Sequence, residues 1–99
     1  MIASKNLDGT TLTITLEGRL DTLTAPQLET ELSPCLAGVA TLILDFAHVA
    51  YISSAGLRVL LSTQKKMTAS GGSLTIANAV PAVREVFDIT GFSDILTLT

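Results

Sequence analysis

The sequence predicts a small mixed α/β domain, with strands and helices alternating after an opening hairpin in the order β-β-α-β-α-β-α-β. Three observations carry that expectation. Residues Thr10 to Glu17 alternate, with Leu12, Ile14 and Leu16 on one side and Thr11, Thr13 and Thr15 on the other, the period-two signature of a half-buried strand. Two short apolar runs, Thr41 to Phe46 and Leu74 to Ala77, read as buried strands, the first covered on both faces. Segments of helical spacing separate these runs, which implies parallel strand pairs joined by right-handed crossovers.

Met1 to Lys5 reads as a short edge strand, and Asp8-Gly9 as the turn that folds it onto Thr10–Glu17. Gly18 to Leu23 is a connection. Thr24 is a suitable helix cap, Pro26 sits in the first turn, and Leu28, Leu32, Cys35 and Leu36 form one apolar stripe. Pro34 lies within that stripe, so the helix kinks or ends near Ser33. Cys35 is then explained as a small buried apolar group. Ser54 to Thr68 is the strongest helix, with Leu57, Leu60, Leu61 and Met67 turned inward, Arg58, Ser62, Lys65 and Lys66 turned to water, and Gly71-Gly72 as its stop. Pro81 opens a third helix carrying Val83, Val86, Phe87 and Thr90 on one side, and Gly91 closes it. Ile95, Leu96 and Leu98 suggest a last short strand.

The 99 residues leave room for one domain, residues 1–99, with no linker, internal repeat or low-complexity stretch. The apolar fraction of 47% against 15% charged is the reverse of a disordered composition. The net charge is −3, and the six basic residues, Lys5, Arg19, Arg58, Lys65, Lys66 and Arg84, are too scattered to form a stripe, so no nucleic-acid partner is expected. A single cysteine allows no internal disulfide and suits a reducing compartment. Neither a signal peptide nor a membrane-length apolar run is visible. The expectation is a soluble cytoplasmic chain without direct membrane contact.

The stretch with most functional content is Asp45 to Leu61, DFAHVAYISSAGLRVLL, which passes from the end of a strand into the central helix. Ligands and partners of open α/β sheets meet the carboxyl ends of strands, and a helix start favours negative charge. Ser53 and Ser54 sit at both places at once. A phosphate on Ser54 would add roughly 1.5 to 2 negative charges, with helix-start N–H groups to bond its oxygens, so folding would be spared. A partner docking a neutral hydroxyl would meet a dianion instead. Ala55 and Gly56 are small and would let that partner come close. Plain capping chemistry explains the same residues, so residue types alone leave both readings open.

The motif YISSAGLRVLL resembles the signature of the STAS domain (sulfate transporter and anti-sigma antagonist), and in particular the stand-alone anti-sigma factor antagonists. LEGRLDTLTAPQLETEL resembles that family's second strand, Gly-x-Leu-Asp turn and first helix, and ANAVPAVREVFDITGF its proline-started helix and closing turn. The resemblance covers nearly the whole chain and implies a STAS-like single domain. It also implies a bacterial partner switch. The unphosphorylated antagonist binds an anti-sigma factor that is also a serine kinase, and so frees a sigma factor. The kinase phosphorylates the antagonist and ends the contact, and a serine phosphatase resets it.

The family's modified serine is the second residue of an Asp-Ser-Ser-Gly-Leu-like run. Aligned on Gly56-Leu57, it falls on Ser54. Ser53 replaces the frequent Asp and stands as a second candidate, and Ala55 replaces a frequent Ser. Asp21 matches the Leu-Asp position, where the resemblance implies contact with the kinase; by itself it reads as a solvated loop carboxylate. The expected partner surface is Asp21, Ser53, Ser54, Ala55, Gly56 and Arg58. The chain ends at Thr99, ahead of where the family's final helix would be complete.

Catalysis is not expected. A serine hydrolase would need Gly-x-Ser-x-Gly, but Ile52 occupies the first glycine position, and the only histidine, His48, precedes the serine. No Gly-x-x-x-x-Gly-Lys run exists, and one His and one Cys far apart make no metal site, so no cofactor or metal is expected. The alternative is a STAS scaffold or accessory subunit of a signalling complex or membrane transport system, working by protein contact without a phospho-switch.

Overall fold

The computed structural model describes residues 1–99 and opens on a hairpin, in which β1 (Ile2–Asp8) and β2 (Thr11–Leu20) pair antiparallel from Ile2↔Glu17 to Asp8↔Thr11. The tight connection Gly9-Thr10 calls for a left-handed residue, and Gly9 takes that conformation at φ 62°. The chain continues through α1 (Ala25–Leu32), β3 (Thr41–Ile52), α2 (Ser54–Ala69), β4 (Ser73–Ala77), α3 (Pro81–Thr90) and a short β5 (Thr97–Leu98). The sheet runs β1-β2-β3-β4-β5, parallel everywhere after the hairpin. This is the mixed α/β architecture and element order that the patterning predicts.

Strand order follows chain order, so successive right-handed crossovers set all three helices on one side of the sheet. Burial agrees. Leu12, Ile14 and Leu16 of β2, Leu42, Leu44 and Phe46 of β3, and Leu74 and Ile76 of β4 join Leu28, Leu32, Leu57, Leu60, Met67, Val83 and Phe87 in one core of 22 residues. Phe46 and Phe87 meet with ring centroids 6.3 Å apart, a tilted aromatic pair that seats α3 on β3. Lys5 pairs with Glu31 at 2.6 Å and ties β1 to α1.

The other side of the sheet has no helix. Cross-strand partners share a face, which lines up Asn6, Thr13, Ile43, Thr75 and Thr97 in one row and Ser4, Thr15, Asp45 and Ala77 in the next. The apolar run of β3 therefore does not mark a strand covered on both faces. Ile43 and Ala77 are only half-buried, because sequential strand order supplies no layer for that side.

β2 and β3 both run further than their alternation suggests. The inward residues of β3 are spaced by two through Leu42, Leu44 and Phe46, then by three to Val49 and Ile52. Register explains the change: Thr15↔Asp45 is followed by Glu17↔His48, and Gly18↔Val49 by Arg19↔Tyr51. β3 thus carries one extra residue at each step, two bulges that keep it pairing to Leu20↔Ile52. Asp45 steadies the first bulge by accepting from the Ala47 N–H at 3.0 Å and the Asn78 amide at 3.3 Å. His48 consequently lies on a strand and not in a loop.

α1 ends at Leu32 in a single 3-10 turn, Ser33–Cys35, as Pro34 requires. Cys35 is half-buried and borders the core without joining it. The buried face of α2 is Gly56, Leu57, Val59, Leu60, Thr63 and Met67, and Leu61 is only half-buried. No helix is long and apolar enough to cross a membrane.

Candidate functional site

The bulged extensions of β2 and β3 end side by side. Arg19 pairs with Tyr51 and Leu20 with Ile52, and the Ser53 N–H donates to the Leu20 carbonyl at 2.9 Å. The chain therefore leaves β2 at Asp21 and enters α2 at Ser53-Ser54 on one rim, formed by the carboxyl ends of two parallel strands.

At that rim the two serines have different duties. Ser53 is extended (φ −100°, ψ 174°) and half-buried, and its Oγ accepts from the Gly56 N–H at 3.4 Å, the geometry of a helix cap. Ser54 is the first helical residue and is exposed, and no side-chain hydrogen bond occupies its hydroxyl. The N–H groups of Ser54 and Ala55 precede the helical ladder and have no carbonyl one turn back. An anion on Ser54 would find these donors without displacing anything the fold uses.

Ala55 is half-buried and, with Arg58, borders a shallow groove of about 370 Å³ between α1 and α2, across from Thr22, Pro26 and Glu29. Gly56 differs. It is buried, and a Cβ placed on it would stand 2.7 Å from Leu20 Cγ and 2.9 Å from Ile52 Cγ1. Its missing side chain lets α2 rest on the strand ends, so Gly56 faces inward and not onto the exposed surface expected of it.

Asp21 does more than a solvated loop carboxylate. Its Oδ1 accepts from the Leu23 N–H at 3.0 Å and the Thr24 N–H at 3.1 Å, and its carbonyl accepts from Ala25 N–H at 2.8 Å. Thr24 was the expected cap, but its side chain makes no capping bond to the helix. Its hydroxyl turns back, donating to the Arg19 carbonyl at 2.7 Å and accepting from the Asp21 N–H at 2.8 Å. Asp21 takes the capping role because it sits one turn earlier, at the end of the strand. The Thr24 N–H holds the Asp21 carboxyl below the ordinary carboxylate value, helped by the Leu23 N–H and Arg19 and opposed by partial desolvation.

A prediction follows from that geometry. Asp21→Ala lowers the melting temperature by several degrees, and Asp21→Asn, whose amide oxygen can accept the same N–H bonds, retains most of it. A carboxylate with a depressed folded pKa contributes stability above its unfolded value, about 3.9, and loses that contribution as pH falls through the folded value. Thermal melts from neutral to acid pH should show this loss in the wild type and not in Asp21→Asn.

Three neighbours complete the rim beyond the residues singled out in the sequence. Arg19 lies over the Tyr51 ring at 4.3 Å and reaches Asp21 at 3.7 Å. Tyr51 is 41% exposed and Leu23 81% exposed, so a tyrosine, an arginine and a leucine stand in water beside the motif. Tyr51 was legible only as a residue of the motif, since its pairing with Arg19 depends on the second bulge. No cluster of metal-ligating side chains is present.

This fold, with a serine-rich helix start at the ends of its central strands, is that of a STAS domain, and the chain belongs to the STAS domain family, which it matches over residues 2–99. BtrV of Bordetella bronchiseptica is 42% identical over 81 residues, covering 81% of this chain and 70% of BtrV. The anti-sigma-B factor antagonist of Bacillus subtilis is 34% identical over 86 residues, 87% of this chain and 79% of that protein. The anti-sigma factor antagonist SpoIIAA in its unphosphorylated form shares the fold with a TM-score of 0.84 at 24% identity, over 99% of this chain and 88% of that one. SpoIIAA in its phosphorylated form gives 0.76 at 23% identity, over 99% and 91%.

Proposed function

We propose that the chain is an anti-sigma factor antagonist, a non-catalytic cytoplasmic switch set by phosphorylation of Ser54. The unmodified protein docks an anti-sigma factor through the rim that carries Asp21, Leu23, Tyr51, Ser54, Ala55 and Arg58, and a sigma factor is released. The anti-sigma factor is also the kinase: the Ser54 oxygen attacks the γ-phosphorus of ATP, ADP leaves, and the serine proton passes to a base of the kinase. A serine phosphatase restores the hydroxyl by hydrolysis.

The observation that carries this reading is the contrast between the paired serines. Ser53 is spent on capping α2, while Ser54 offers a free, exposed hydroxyl at the same helix start. Relatives named anti-sigma-B factor antagonist, and SpoIIAA structures in both phosphorylation states, support it. Incubation with the cognate kinase and ATP, followed by peptide mass spectrometry, tests it. One phosphate on Ser54 is expected, and none in Ser54→Ala. Label on Ser53 or Ser62 would overturn the assignment to Ser54, and no label at all would favour a scaffold of the same fold.

A further inference from the structure

Arg58 is the only charged side chain in the first two turns of α2. It is exposed and takes part in neither of the molecule's ion pairs, Lys5–Glu31 and Arg19–Asp21. It stands four residues after Ser54, and both border one groove with Leu57, Leu61, Thr90 and Phe92. Helical side chains lean toward the N-terminus, so the residue at i+4 lies over the turn that holds residue i. An acid followed by a base at this spacing is the favourable order. A guanidinium also presents a planar fork of N–H donors that matches phosphate oxygens.

We propose that Arg58 is the built-in counter-charge of a phosphate on Ser54, an inference that rests on Ser54 being the modified residue. The unmodified protein leaves Arg58 free, bordering the α1–α2 groove, whose one lining carboxylate, Glu29, forms no ion pair with it. Modification draws the guanidinium back over the first turn. The switch then has two parts: a dianion appears at the rim, and a cation that a partner's acidic group had met is withdrawn from it. Arg58 acts here as a positioning residue for the phosphate.

The test installs phosphoserine at position 54 by genetic code expansion, in the wild-type background and in Arg58→Gln and Arg58→Lys, and follows the phosphorus resonance against pH. The second ionisation should fall lower in the wild type than in Arg58→Gln by roughly 0.4 pH unit, the equivalent of an i,i+4 pair, with Arg58→Lys between them. The rise in melting temperature on phosphorylation should shrink in Arg58→Gln, while the unmodified forms melt within about two degrees of each other, as exposed substitutions do. Equal ionisation and equal thermal gain in wild type and Arg58→Gln would overturn the pairing and leave the switch at Ser54 standing. Kinase labelling at another serine would do the reverse, removing the switch at Ser54 while the titration still reports on Arg58.

Discussion

Ser54→Asp weakens binding to the cognate anti-sigma kinase by roughly tenfold or more, and the chain stays folded. The two halves of this expectation have separate causes. An acidic residue in the first turn of a helix is favourable to the helix, since it meets unpaired N–H groups and the positive end of the dipole. Ser54 is exposed and its hydroxyl bonds nothing, so no internal contact is lost. The partner, in contrast, must desolvate a carboxylate or hold it against its own acidic groups, and each ~1.4 kcal/mol of that cost is a factor of ten in affinity. Titration calorimetry with the kinase measures the first half, and circular dichroism melts the second. Ser54→Ala should bind like the wild type. If Ser54→Asp bound as tightly as Ser54→Ala, the rim would not be the docking surface.

Gly56→Val destabilises the domain by about 2 kcal/mol, within the range for forcing extra carbons into a packed site. Even the first carbon added would stand 2.7 Å from Leu20 Cγ and 2.9 Å from Ile52 Cγ1, atoms near the roots of their side chains and unable to swing aside cheaply. Two effects oppose each other in Gly56→Ala. Alanine gains up to ~1 kcal/mol of helix propensity over glycine, while overpacking costs about 1–3 kcal/mol. Alanine is therefore mildly destabilising, and valine, with a branched Cβ, clearly so. For a domain of this length 2 kcal/mol lowers the melting temperature by roughly 10 °C. Because α2 would ride up from the strand ends, kinase binding should fall with it. A variant that kept its melting temperature but lost binding would return Gly56 to the docking surface.

The legible parts of the molecule were those in which one period persists. Leu12, Ile14 and Leu16 alternate cleanly, and β2 was readable through them; proline at 26 and 81 and glycine at 71 and 91 framed the helices. β3 was readable only to Phe46. Beyond it two bulges shift the inward residues to every third position, Phe46, Val49 and Ile52, a spacing that imitates a loop or helix. The site itself was visible as a motif, but its division of labour was not. Nothing in the string Ser-Ser-Ala-Gly tells which serine caps, or that the glycine answers to Leu20, a residue 36 positions earlier in the chain. The cap of α1 is hidden from the sequence for a related reason. Thr24 has the right chemistry one residue before the helix, yet the strand end delivers Asp21 to the N–H groups first.

The uncovered side of the sheet has a practical use. All three helices draw on the opposite layer, so the row of Asn6, Thr13, Ile43, Thr75 and Thr97 can be chemically altered with little effect on the core. Thr13 lies seven residues from Leu20 along β2, about 23 Å at the ordinary strand rise. A fluorophore or surface tether attached through Asn6, the exposed partner of Thr13, would stand clear of an approaching kinase. Immobilised in that way, the chain would present the proposed switch outward, and on-rates for the unmodified and Ser54-phosphorylated forms could be compared on one oriented layer.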